Sequence, residues 1–178
     1  MNLHKVLGVY ASFILVPTAL TGLPQAFDWV QDGIYWITAS PKPPKARSSP
    51  VPGKTPLGME AYWQKLEDLV PDPEEALIHF PARPRDPVEI FAIERGAPHA
   101  NARTLLFLDA YSGRTLRFTP YAQSSLGHRA YFWTLSWHTG MVGGVAGPAI
   151  LISGALALLF LAWSGLSSFL RRTFRGAR

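Results

Sequence analysis

Cysteine is absent from the 178-residue chain. Disulfides, iron–sulfur clusters, zinc–thiolate sites and covalently attached c-type haem are thereby excluded, and any metal must be held by histidine, carboxylate or methionine. Charge is missing from two long stretches. No Asp, Glu, Lys or Arg occurs from Val6 to Phe27, and none from Ala130 to Leu170, a stretch that holds a single histidine, His138. A bilayer core takes about 20 apolar residues as helix, so the first gap fits one span and the second a span plus roughly a dozen residues. The pattern predicts a membrane protein. Catalytic signatures are missing too: there is no HExxH, GxSxG or P-loop, and no acid–base pair or nucleophile constellation stands out.

The formal charge of +5 resembles a nucleic-acid signal until it is located. Asp28 to Arg129 holds 12 acidic and 12 basic side chains, so the middle is neutral and argues against nucleic acid as a partner. The excess is Lys5, Arg171, Arg172, Arg175 and Arg178, which flank both spans on one side. Short basic flanks stay cytoplasmic, whereas a loop of about 100 residues is exported largely regardless of charge. Both termini are therefore expected in the cytoplasm. The first span reads as an uncleaved anchor rather than a signal peptide: its charged part is very short, no A-x-A site follows it, and Pro17 and Pro24 interrupt it.

Between the spans, Trp29, Tyr35 and Trp36 follow the first, and Tyr131, Phe132, Trp133 and Trp137 precede the second; such rings prefer the headgroup region. The stretch "SPKPPKARSSPVPGKTP" from Ser40 to Pro56 reads as an extended linker. A helix is expected after it, capped by Thr55 with Pro56 first and Leu57, Ala61, Tyr62, Leu66, Leu69 and Val70 at helical spacing. "ALIHF", "VEIFAIE", "TLLFLDA" and "TLRFT" read as strands, the last turning Leu116 and Phe118 inward, with "DAYSGR" as a hairpin turn. The expected fold class is an α+β membrane protein: two transmembrane helices flanking a small exported domain, one helix on an antiparallel sheet. Expected segments are the first span at 1–27, an interfacial stretch and linker at 28–54, the domain at 55–125, an interfacial aromatic helix at 126–141, the second span at 142–170 and a basic tail at 171–178.

Of the five histidines, His79 and His99 read as ordinary surface or packing residues of the domain, and His128 as interfacial, as a haem-propionate contact or as plainly solvated. His4 and His138 stand at the edges of spans, where an ionisable group is costly unless paired or ligated. Snorkelling to water or lipid phosphate is the competing reading. With about 1.5 Å of rise per residue, some 20 residues separate them by roughly 30 Å, too far to share one iron. If both ligate, a bis-histidine haem at either depth needs its second imidazole from another polypeptide, and a two-fold dimer supplies it. Gly8, one turn after His4, and Gly143, Gly144 and Gly147, after His138, would let a flat macrocycle or a neighbouring helix approach closely.

Three ordered motifs resemble the PepSY-associated transmembrane proteins. "LHKVLGVYASFILVPTALTG" resembles their leading helix, "WHTGMVGGVAGPAILISGALALLFLAWSGLSSFLRR" their returning helix, and "LFLDAYSGRTLRF" the PepSY hairpin, with Ala110 in place of the customary Pro. The resemblance implies a bacterial inner-membrane protein with a periplasmic PepSY-like domain and haem b, two per dimer, carried by His4 and His138, with Gly8, Trp137 and Gly143 beside the cofactor. Longer relatives have four spans, and some reduce ferric siderophores, so homodimerisation would restore that architecture from half of it. The leading expectation is an electron-transfer protein passing electrons to a periplasmic redox partner or ferric chelate. The alternatives are a non-catalytic subunit docked on a larger membrane complex and a regulator of periplasmic proteolysis.

Overall fold

The computed structural model describes residues 3–175. Its elements are α1 (Leu3–Ala26), α2 (Asp28–Ile37), α3 (Met59–Leu69), β1 (Pro73–His79), β2 (Val88–Glu94), β3 (Arg103–Leu108), β4 (Thr115–Thr119), a single 3-10 turn (Tyr121–Gln123), α4 (Leu126–His138) and α5 (Ala146–Arg175). They form two compact units, residues 28–133 and residues 3–27 with 134–175.

In the first unit the four strands make one antiparallel sheet in the order β1-β2-β3-β4. Alternation in β2 turns Val88, Ile90 and Ala92 to one face, where they meet Leu106 and Leu108 of β3, Tyr62 and Leu66 of α3 and Val70 at its C-terminal cap. Tyr62, Leu66 and Val70 are spaced by four, so they form one helical stripe. Burying a large apolar side chain is worth about 1.5–3 kcal/mol, so each residue of the stripe stabilises the domain. The Tyr62 hydroxyl satisfies itself by donating to the Ala110 carbonyl at 2.8 Å.

The helix starts later than its sequence suggests. Thr55 and Pro56 precede it, and Gly58 occupies the cap position without a side-chain bond. The reason is tertiary: the Leu57 N–H donates to the Ala110 carbonyl at 2.8 Å, holding residues 55–57 extended beside the hairpin turn. Likewise Asp109 and Ala110, expected in the third strand, leave it to build the turn. Strand β4 puts Phe118 on the core as expected, but Arg117 is covered as well: its guanidinium stacks on Phe107 at 4.0 Å. Leu105 and Phe107, facing away from α3, are only 9% and 8% exposed, so the sheet is covered on both faces rather than one.

Part of that cover is the Pro-rich stretch. It is extended, but it is a strap rather than a free linker. Asp109 is 2% exposed; its Oδ1 accepts the N–H groups of Tyr111 and Ser112, and its Oδ2 accepts the Ser49 N–H at 2.7 Å. The Ser48 hydroxyl accepts the Ala110 N–H, and the Ser48 N–H donates to the Arg85 carbonyl. The hairpin aspartate thus closes its own turn and holds the strap down.

In the second unit α1 and α5 pack antiparallel. Gly8 meets Leu161, and Ile14 lies where a side chain at Gly154 would have to stand. Val9, Tyr10, Phe13 and Val16 on α1, and Ile152, Leu156, Leu159 and Trp163 on α5, are exposed, the apolar surface a lipid bilayer covers. At about 1.5 Å per residue, the 24 residues of α1 and 30 of α5 are each long enough to span. Pro17 and Pro24 sit inside α1, and threonine hydroxyls back-bond to neighbouring carbonyls, Thr21 to that of Pro17 at 2.8 Å. Helix α5 begins at Ala146 rather than 142, because Gly140, Gly143 and Gly144 all take positive φ in the preceding loop, and it continues past the Arg pair to Arg175. The last three residues of the expected basic tail lie outside the described residues.

Candidate functional site

His138 is the last residue of α4, and its ring reaches α1. Nδ1 lies 3.0 Å from the Thr18 carbonyl oxygen, which can only accept. Nδ1 therefore carries the proton and donates, leaving Nε2 unprotonated. The ring rests on Gly22: a methyl group there would stand 2.6 Å from Cε1 and 2.9 Å from Nδ1. The imidazole is clamped between a carbonyl and a residue with no side chain.

His4 is held in the same manner from the opposite helix. Its Nδ1 is 2.6 Å from the Ser164 hydroxyl of α5, which itself donates to the Leu161 carbonyl at 3.2 Å. When that hydroxyl donates to Leu161, Nδ1–H is the donor to Ser164. Gly165 lies alongside, its absent side chain 3.6 Å from Cε1. Along α1, His4 precedes Thr18 by 14 residues and Gly22 by 18, so the two imidazoles are about 21–27 Å apart. They do not share a metal, as the sequence implied.

His4, Gly8, Ala11, Leu15, Thr18 and Gly22 recur at alternating steps of four and three, one continuous stripe along α1. Gly8 thus belongs to the helix contact, with Leu161 as neighbour. Gly143 serves the loop: its φ is +82° and nothing stands within 4 Å of its missing side chain. Gly147 must lack a side chain because the Gly140 carbonyl occupies that place. Trp137 is 59% exposed. Sequence reasoning missed Thr18, Gly22, Ser164 and Gly165. Of these only Gly22 had a visible signal, the Leu-Thr-Gly ending of the first motif.

A family model described as the PepSY-associated TM region matches residues 1–172. The chain belongs to that family. No curated protein matches the sequence. The PepSY-associated chain is accordingly a membrane protein with a small antiparallel-sheet domain between two apolar helices.

In this PepSY-associated protein the domain's own histidines are packing residues, with His79 exposed and edge-on to Phe91 at 5.2 Å. His99 is 7% exposed, bonded through Nε2 to the Tyr121 hydroxyl at 2.8 Å and packed on Trp133 with ring centroids 4.4 Å apart. His128 is 3% exposed rather than solvated, enclosed by Phe132 and Tyr121. Burial lowers the pKa of both. For His128 the Arg103 carbonyl opposes this, and the Arg117 charge reinforces it. Both are thereby kept neutral at physiological pH.

Proposed function

We propose that this protein is a haem b electron-transfer module of a bacterial inner membrane, with His138 and His4 as the residues that would hold haem at two separate depths. The observation that carries the reading is the clamp on His138, a Nδ1–H donated to the Thr18 carbonyl over a bare Gly22. A carbonyl partner on Nδ1 fixes the tautomer and the ring orientation, the arrangement that metal-ligating histidines use. Among the described residues no three His, Asp or Glu side chains gather. A single clamped imidazole suits a metal that brings its own equatorial ligands, and a porphyrin iron does so. When bound, haem supplies one-electron redox chemistry.

The chain's own contribution is to hold two imidazoles in fixed tautomers on the apolar helix pair. Each His occurs once per depth, so a second copy related by a two-fold axis completes both sites, His4 facing His4 and His138 facing His138. On this reading the basic flanks favour a cytoplasmic His4 and a periplasmic sheet domain, with a ferric chelate or a redox protein as the electron acceptor. Trp137, exposed one residue before His138, would contact the cofactor or the adjoining lipid.

Expression with added haem precursor, followed by a pyridine haemochrome assay and light scattering in detergent, tests the reading. Two haems per dimer are expected, with one lost in His138→Ala and the other in His4→Ala. The hypothesis is falsified if the protein remains colourless, or if both variants retain full haem. A colourless chain that copurifies stoichiometrically with a larger membrane complex would favour the docking-subunit reading.

A further inference from the structure

A second site lies on the sheet face opposite α3 and does not rest on the haem reading. Strand register aligns His79, Glu89, Phe107 and Arg117 as one row across all four strands. The row floors a groove of about 1200 Å³, walled by the strap at 43–50 and the β1–β2 loop at 80–87. Lys45, Arg47, Arg83, Arg85 and Arg117 line it against only two carboxylates, Asp86 and Glu89. Asp86 is already engaged, accepting the Arg83 N–H at 2.9 Å. The ion pairs among the described residues, Lys42–Asp32, Lys65–Asp68 and Arg95–Asp72, use none of the five groove cations. The domain as a whole is charge-balanced, so three positive charges have been concentrated in one concavity.

Arg117 shows that the concentration has a cost. Its guanidinium is stacked on Phe107, and Nη1 donates to the Pro44 carbonyl at 2.6 Å, yet Nε is buried with no hydrogen-bond partner. A buried donor left unpaired is unfavourable, and an oxyanion is the partner that best satisfies a guanidinium. The groove is also preformed. Pro43, Pro44, Pro50, Pro84 and Pro87 fix the backbone of both walls, and Asp109 and Arg85 anchor the strap through Ser49 and Ser48. Little ordering is left for a ligand to impose.

We infer that the strap, the β1–β2 loop and the row from His79 to Arg117 form a binding site for a small organic polyanion carrying at least two carboxylate or phosphate groups. The exposed Arg47, Arg83 and Arg85 take the outer oxyanions, and Arg117 takes the inner one over the Phe107 ring.

Isothermal titration of the full chain in neutral detergent at low salt tests this with two probes, citrate for carboxylates and inorganic pyrophosphate for phosphates. Saturable binding of at least one is expected, weakening as salt rises. Arg83→Gln and Arg85→Gln, on an exposed loop, should each weaken it about tenfold. Arg117→Gln should weaken it further, with retained tryptophan fluorescence confirming the fold. Arg95→Gln removes a basic residue paired with Asp72 outside the groove and should leave binding unchanged. The inference is overturned if neither probe binds, or if Arg95→Gln weakens binding as much as Arg83→Gln, which would show diffuse surface attraction. Haem content plays no part in these titrations, so their failure and that of the haem reading are separate results.

Discussion

Replacing Gly22 by alanine tests the histidine clamp directly. The added methyl group would stand 2.6 Å from the His138 Cε1 atom, where ordinary contact begins at 3.4 Å, so the ring must retreat by about 0.8 Å. From a starting separation of 3.0 Å, that retreat takes Nδ1 out of bonding range of the Thr18 carbonyl. A buried hydrogen bond in a membrane contributes about 1 kcal/mol, and overpacking adds about 1–3 kcal/mol. Alanine is the better helix former by about 1 kcal/mol, which opposes this loss. The net expectation is a destabilisation of about 1–3 kcal/mol, read as a lower thermal midpoint in detergent. Its diagnostic signature is loss of the haem assigned to His138 while the haem assigned to His4 remains. Gly33→Ala is the control, since nothing lies within 4 Å of the new methyl group. If Gly22→Ala matches wild type in both midpoint and haem content, the clamp has no role in holding a ligand.

Three further outcomes follow from the geometry. Ser164→Ala removes the acceptor of the His4 Nδ1–H and should lower the occupancy of that haem alone, measured by haemochrome titration, with little change in folding. Asp109→Asn keeps the Oδ1 bonds but turns an amide donor toward the Ser49 N–H, costing about 1.5–3 kcal/mol and exposing Lys45 and Arg47 to faster trypsin cleavage; unchanged cleavage would show that the strap is held otherwise. The same carboxylate titrates: burial raises its pKa, the bonds from Ser49, Ser112 and Tyr111 outweigh that, and the folded value lies below the ordinary 3.8. Its contribution is present above about pH 4 and disappears as pH falls through the folded value. His99 and His128 act earlier: with folded values pushed below the ordinary 6.5 by burial, their contribution is complete above that pH and declines beneath it. The urea midpoint followed by tryptophan fluorescence should therefore fall as pH drops below 6.5, and a flat profile would refute the packing assigned to them.

Much of the fold was legible in the sequence because it rests on local patterns. The charge-free stretches marked α1 and α5, and alternation marked β2 and β4. The strap was not legible, because it has no apolar period: it is held by backbone N–H groups and serine hydroxyls converging on Asp109, 60 residues from Ser49. Its composition correctly predicted an extended chain and gave no sign of where that chain lies. Helix α3 was placed too early for a related reason, since Thr55 is a good local cap but the Leu57 N–H found a partner in Ala110. His128 looked interfacial because its neighbours in sequence are aromatic; the rings that bury it include Tyr121, placed there by the 3-10 turn.

The two span-edge histidines were found by position alone, whereas what fixes them could not be. Thr18 is 120 residues from His138, and Ser164 is 160 from His4, and neither pairing leaves a trace in local pattern. The small-residue stripe carries the physical link between them. Gly8, Ala11 and Gly22 on that face of α1 let the neighbouring helices come close enough for an imidazole to reach across, and each reaching ring makes a polar bond in an apolar medium. At about 1 kcal/mol each, those two bonds are too weak to hold the helix pair together against the packing of the whole stripe. Removing them should therefore change what the imidazoles bind before it changes whether the helices associate, so ligand occupancy and folding are separable readouts at both ends of the span.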